Sequence, residues 1–177
     1  MSLMPDSNRA KECSISNFEV FSTKNRKLGS LGVGGFAEVT HCICMDTGKE
    51  FVLKRLKQRT GELQQQSLKD EVDVLKTLNY RNIVQYYGCR IKAAKIRIFI
   101  ELAIGSVRML IREFGPLNNK LTTAFLKQML NGIKYLHEKK LIHMDVKAAN
   151  ILKASDGTIK IADYGLAKGW VYHEGRS

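Results

Sequence analysis

Proline is scarce in this chain, two residues in 177, and glycine stops at fourteen, so collagen-like and proline-rich architectures are excluded. No run of eighteen apolar residues occurs. The longest apolar stretch, residues 98–104, is interrupted by Glu101, and a membrane-spanning helix is not expected. The first residues, Met1-Ser2-Leu3-Met4-Pro5-Asp6, carry no apolar core segment and no glycine at position 2, so neither a secretory signal nor myristoylation is indicated. Four cysteines (Cys13, Cys42, Cys44, Cys89) are too few and too scattered for a disulfide framework. Cys42-x-Cys44 has the form of half a metal clip, but no second Cys/His pair follows at zinc spacing, and thiols on one face of a strand are expected instead. Acidic residues are also short: 17 Asp and Glu against 29 Lys and Arg, a formal charge of +12. These charges are dispersed along the sequence without an aromatic-interleaved basic stripe, so a solvated basic surface is expected and a nucleic-acid partner is not. The remainder, 44% hydrophobic and 26% charged, is ordinary globular composition. Length suggests one domain, or one and a fraction, in a soluble cytoplasmic or nuclear protein.

Residues 1–17 are polar and aperiodic and predict a loose lead-in. From Phe18 the pattern is antiparallel: alternation over 36–44, a turn at Asp46-Thr47-Gly48-Lys49, and a returning strand at Phe51-Val52-Leu53. Residues 61–78 change to helical period, with Leu68, Val72, Leu75 and Leu78 on one face. Strands are expected at 84–88 and 96–101, then a short helix at 107–112 stopped by Gly115-Pro116. A long helix is expected over 118–138, where Leu126, Leu130, Ile133 and Leu136 recur at helical spacing and Lys139-Lys140 suit its C-terminal dipole. A polar loop at 143–150 and two short strands around Asp156-Gly157 complete the outline, a β-rich half followed by a helix-rich half.

Gly32-Val33-Gly34-Gly35-Phe36-Ala37-Glu38-Val39 is a glycine-rich turn between two strands, where backbone N–H groups can approach phosphate oxygens. Taken alone, a structural hairpin would use glycines equally well. A dinucleotide-binding loop needs a helix next, and here a strand follows. Lys54 ends an apolar strand and Glu71 lies on the helix. Such a pair could fix an ammonium near phosphate charge, though alone it is better read as two surface residues. The informative segment is His143-Met144-Asp145-Val146-Lys147-Ala148-Ala149-Asn150, followed by Asp163-Tyr164-Gly165. Asp145 can orient a hydroxyl and accept its proton, Lys147 can hold a phosphoryl group, and Asn150 and Asp163 are oxygen ligands suited to Mg2+.

In this order and spacing the residues resemble a eukaryotic protein kinase over 18–177. The segments 71–78, 82–88, 98–101 and 105–107 most resemble MAP kinase kinase kinases of the STE group. The resemblance implies an α+β two-lobe fold: an antiparallel N-lobe with one long helix over 18–101, and a helical C-lobe, present in part, over 102–177. It implies that ATP and Mg2+ are used and that protein serine or threonine hydroxyls are phosphorylated. A MAP kinase kinase would be a substrate of that subgroup. By residue, it implies that Gly32, Val33, Gly34, Gly35 and Val39 cover the nucleotide, while Leu31, Val39, Val52 and Leu152 sandwich adenine. Ile100 would be the gatekeeper, and the backbones of Glu101 and Ala103 would meet the adenine edge. Lys54 would bind phosphates and pair with Glu71; Asp145 would be the base, Lys147 a γ-phosphate contact, and Asn150 and Asp163 the metal ligands. Leu75, Tyr86, His143 and Tyr164 would form a spine between lobes. Lysine two residues after Asp145 points to Ser/Thr specificity.

The pattern departs in places. Ala37 replaces a third glycine, Val52 an alanine, and Tyr164 a phenylalanine. Met144 replaces an arginine that would pair with a phosphorylated activation loop, so a phosphate switch through residue 144 is not expected. The family's A-P-E motif and later C-lobe helices have no counterpart in these 177 residues. The helix over 118–138 is therefore expected to expose apolar surface to a partner. The alternative reading is a truncated, catalytically incompetent regulator that binds nucleotide or a partner kinase.

Overall fold

A computed structural model describes residues 11–14, 25–33, 37–56, 72–73, 75–92, 95–163 and 168–169. The chain divides into two compact units, residues 1–76 with 86–102, and residues 77–85 with 103–177.

The first unit is built on a six-stranded antiparallel sheet. Its strands are β1 (Lys11–Ser14), β2 (Asn25–Val33), β3 (Ala37–Cys44), β4 (Glu50–Leu56), β5 (Tyr86–Lys92) and β6 (Lys95–Glu101), in spatial order β1-β5-β6-β4-β3-β2. Side-chain alternation gives the sheet two distinct faces. On one, Cys42, Cys44, Phe51, Leu53 and Phe99 form a buried cluster with Tyr87 against it. The Phe51 and Phe99 rings lie 5.7 Å apart, and burying each stabilises by about 2–3 kcal/mol. Cys42 and Cys44 are thiols within this cluster. On the other face, strand register sets Val52 opposite Ile100 and Lys54 opposite Ile98.

Two boundaries differ from the sequence reading. Lys11–Ser14, expected in a loose lead-in, is an edge strand whose backbone pairs with β5 from Lys11↔Ile91 to Ser14↔Gly88. It covers a row of peptide groups that an edge would otherwise expose. The strand expected at 84–88 begins instead at Tyr86, because Ile83 and Val84 are taken up in the second unit: the Val84 amide donates to the Ile161 carbonyl (2.9 Å). Residues 72–73 and 75–77 are helical, with Val72, Leu75 and Leu78 buried as their spacing predicts. The rest of the helix expected over 61–78 lies outside the described residues.

The second unit holds β7 (Gly105–Ser106), α1 (Val107–Phe114), α2 (Asn119–Glu138), β8 (Leu141–Ile142), β9 (Ile151–Lys153), β10 (Ile159–Ile161) and β11 (Lys168–Gly169). Both helices start where a side chain caps them: Ser106 Oγ accepts from the Met109 amide (3.2 Å) and Asn118 Oδ1 from the Leu121 amide (2.9 Å). Gly115 ends α1 at φ 80°, and Lys140 follows α2 at φ 57°, its amide returning to the His137 carbonyl. Antiparallel pairs join β7 to β9, β9 to β10, and β8 to β11.

The 77–85 segment is stitched to this unit by polar groups. Asn82, buried, donates through Nδ2 to the Ile159 carbonyl (2.8 Å) and to Gln128 Oε1 (3.3 Å), while its own carbonyl accepts from the Ile161 amide (2.9 Å). Tyr80 stacks on Tyr135, with centroids 4.7 Å apart. Along α2, Gly132 and Leu136 are buried, but Leu121, Leu126 and Leu130 are exposed, Leu130 by 58%.

Candidate active site

In the second unit the loop after β8 folds back around His143. The ring is 4% exposed; Nε2 lies 3.0 Å from the Ala162 carbonyl, and Nδ1 accepts the Asp145 amide at 3.2 Å. A carbonyl can only accept, so Nε2 carries the proton and the imidazole joins the loop to the segment before Asp163. Met144, between the two hydrogen-bonded residues, takes a left-handed turn (φ 65°), which for a side chain of its size costs about 1–2 kcal/mol. That turn lets the Asp145 amide reach back to the ring.

Asp145 is thereby presented with its carboxylate partly exposed. Its Oδ2 accepts from Lys147 Nζ (2.7 Å) and from Asn150 Nδ2 (2.9 Å), and the same Nδ2 donates to the Asp145 carbonyl (2.9 Å). The Lys147 hydrogen bond, supported by Asn150, holds the carboxyl below the usual aspartate range despite some desolvation. Asp145 is thus ionised across neutral pH. Asn150, 7% exposed, uses its amide nitrogen on Asp145, so its Oδ1 is the end left to accept or to ligate. The Ala162 amide donates to the Asn150 carbonyl (2.9 Å), setting Asp163 beside it in an exposed left-handed conformation (φ 66°).

Asp145, Lys147, Asn150 and Asp163 are therefore gathered as the sequence reading expected. Lys147, however, contacts Asp145 itself. Two oxygen donors, Asn150 Oδ1 and the Asp163 carboxylate, fit a hard cation that keeps most of its shell for water and phosphate. They do not make a complete cage, and among the described residues no cluster of three or more His, Cys, Asp or Glu exists. Sequence reasoning gave His143 a place in a spine with Leu75, Tyr86 and Tyr164 and missed its hydrogen bonds to Asp145 and Ala162. Its position two residues before Asp145 was the available signal.

In the first unit the register forms a row Gly32–Val39–Lys54–Ile98 across β2, β3, β4 and β6. It puts the glycine turn, an apolar side chain and the ammonium on consecutive strands of one face. Beside it run Val52, Ile100 and Tyr86, the first and last buried. Leu31 and Val33, flanking Gly32, expose 54% and 68% of their area, a poor arrangement in water unless an apolar group packs there. Glu101 and Ala103 are half-buried at the end of β6 and just beyond it. Leu152 lies in β9 opposite Ser106. Leu75 is buried. Gly34, Gly35, Glu71 and Tyr164 lie outside the described residues.

The family model described as Protein kinase domain matches residues 25–176. A Dictyostelium discoideum protein named "Probable serine/threonine-protein kinase" is 36% identical over 93% of this chain and 32% of its own length. Mitogen-activated protein kinase kinase kinase 3 of Mus musculus is 38% identical over 78% of this chain and 23% of its own. MAP kinase kinase kinase SSK2 of Saccharomyces cerevisiae is 35% identical over 88% of this chain and 10% of its own. The chain thus spans about a third or less of the length of these relatives. Similar to MAP kinase kinase kinases in sequence and built from an antiparallel sheet unit, a partly helical second unit and this catalytic-type loop, the chain belongs to the protein kinase domain family.

Proposed function

We propose that this protein transfers the γ-phosphoryl group of Mg·ATP to serine or threonine hydroxyls of a protein substrate within a MAP kinase cascade. The observation that carries the reading is the Asp145 carboxylate, kept ionised and held by Lys147 and Asn150, whose carbonyl accepts the Ala162 amide just before Asp163. An ionised carboxylate accepts the hydroxyl proton as the oxygen attacks phosphorus, and Lys147, on a flexible stem 56% exposed, exchanges Asp145 for the transferring phosphoryl group. Lys54 balances charge on the other phosphates. Asn150 and Asp163 would hold Mg2+, which supplies charge neutralisation on the phosphates. Leu31, Val39, Val52 and Leu152 take the adenine faces, Ile100 borders them, and the backbones of Glu101 and Ala103 take its polar edge. MAP kinase kinase kinase 3 and SSK2 support the cascade assignment, and a MAP kinase kinase is the substrate class that follows.

Nucleotide binding tests the cradle separately from chemistry. Lys54→Met is expected to weaken Mg·ATP binding by about ten- to a hundredfold, read by calorimetry, since a charge-assisted contact is worth about 1.5–3 kcal/mol. Unchanged affinity would remove Lys54 from the site.

A second reading, a regulator that binds nucleotide or a partner kinase without transfer, is favoured by the leucines 121, 126 and 130 that α2 leaves exposed. It predicts nucleotide binding with no phosphoryl transfer to any protein.

A further inference from the structure

The face of the sheet opposite Val52 and Lys54 carries a second concentration of charge. Register aligns Glu38 with Arg55, Arg55 with Arg97, Arg97 with Arg90, and Arg90 with Glu12, across five neighbouring strands. Residues directly opposite in antiparallel strands share a face, so three arginines stand side by side over about 10 Å. Two residues further along, the same hairpin pairs Lys92 with Lys95. The alternate positions Ile96 and Ile98 are 5% and 0% exposed on the other face, while Phe99, also 5% exposed, shares the face of Arg97, so the arginine row adjoins the apolar cluster of Phe51, Leu53 and Phe99. The charges that look dispersed along the sequence are therefore collected by pairing.

Like charges directly opposite destabilise a sheet, and among the described residues the strand register places acids at the two ends of the row. Glu38 reaches Arg55 at 3.4 Å, and Glu12 occupies the register position beyond Arg90. Arg97, in the centre, is exposed and makes no hydrogen bond or ion pair among the described residues. Its neighbour Arg55 has its Nε buried with no acceptor among those residues. A guanidinium fork matches a phosphate or carboxylate edge, and a dianion neutralises two adjacent cations where a carboxylate neutralises one.

We propose that the Arg55–Arg97–Arg90 row is a binding site for a phosphate-type dianion. The site is independent of the nucleotide reading: it lies on the opposite face of the sheet from Lys54. The phosphoryl group would come from a free polyphosphate or from a phosphorylated side chain of another protein.

The test is thermal unfolding in inorganic pyrophosphate, against sodium chloride at equal ionic strength. Wild type, Arg97→Gln, Arg97→Lys and Lys54→Met are compared. Pyrophosphate is expected to raise the midpoint of wild type and of Lys54→Met. Its apparent affinity should fall about tenfold or more in Arg97→Gln, and less in Arg97→Lys, which keeps the charge but loses the fork. A phosphoserine peptide titrated in the same way assigns the source: tighter binding than pyrophosphate with the same dependence on Arg97 indicates a phosphorylated partner, and weaker binding a free polyphosphate. Equal midpoints in pyrophosphate and chloride would overturn the proposal. So would a response kept in Arg97→Gln and lost in Lys54→Met, which would put the anion at the nucleotide phosphates and leave the proposed function standing.

Discussion

Replacing Gly132 with alanine sets helix propensity against packing, and the structure decides the sign. Alanine in a helix interior is favoured over glycine by about 1 kcal/mol. At this position a Cβ would lie 2.8 Å from the Asn82 carbonyl oxygen and 2.9 Å from Ile161 Cδ1. An ordinary carbon–oxygen approach is about 3.3 Å or more, so something must move by roughly half an ångström. The Ile161 side chain can turn, but the Asn82 carbonyl is held by the Ile161 amide at 2.9 Å, and Asn82 is anchored by its own bond to the Ile159 carbonyl. Overpacking of this kind costs about 1–3 kcal/mol. Less the propensity gain, we expect net destabilisation of up to about 2 kcal/mol, a fall in melting midpoint of up to about 6 °C for a chain of this size. Urea unfolding of Gly132→Ala beside Asn131→Ala is the assay. Asn131 is the exposed neighbour on the same helix and should be neutral or slightly stabilising. Adding Ile161→Val to Gly132→Ala should recover part of the loss, a coupling of about 0.5 kcal/mol or more. A Gly132→Ala protein as stable as wild type would refute the close approach of α2 to the 77–85 segment.

Asp145 gives a pH prediction whose sign is fixed by its environment. A carboxyl lowered on folding contributes stability that is present above the ordinary aspartate range and is lost as pH falls through its lowered folded value. Lys147→Ala removes the leading cause, so carbon-13 NMR should show the Asp145 titration moving upward, toward the ordinary range; an unmoved titration would discard the Lys147 contact. Met144 is 58% exposed and lacks the cation that would answer an activation-loop phosphate. Met144→Arg should make activity sensitive to phosphatase treatment where the wild type is not. Equal sensitivity in the two proteins would refute that role for residue 144.

Much of the architecture was legible because it follows from period and punctuation. The α2 helix lies within a residue of its expected start and ends at Glu138 as expected, because Asn118 caps it and Lys140 turns out of it. The expectation of exposed apolar surface on that helix agrees with the exposure of Leu126 and Leu130, which local periodicity alone would have buried. Edge strand β1 was not legible: Lys11-Glu12-Cys13-Ser14 has little strand character of its own, and pairing with β5 creates it. Val84 reads as the start of a strand from its side chain, while its amide and the neighbouring Ile83 are drawn to β10. At the site, residue types and spacing singled out Asp145, Lys147, Asn150 and Asp163, and the structure brings these side chains to one loop and the segment hydrogen-bonded to it. Spacing could not show that His143 ties the loop to Ala162, or that pairing gathers Arg55, Arg97 and Arg90 into a row. Both depend on contacts between residues distant in sequence.

The measurement that bears most directly on the central claim is transfer of label from γ-labelled ATP to a protein acceptor, with saturating Mg·ATP, by the wild type and by Asp145→Asn. Asparagine keeps the size of the side chain and cannot accept the hydroxyl proton. The account predicts label on serine or threonine with the wild type, and a loss of about a hundredfold or more in Asp145→Asn while Mg·ATP affinity stays within a few-fold. Equal transfer by the two proteins would contradict the assignment of Asp145 as the base. Nucleotide binding without transfer by the wild type would contradict the kinase reading itself.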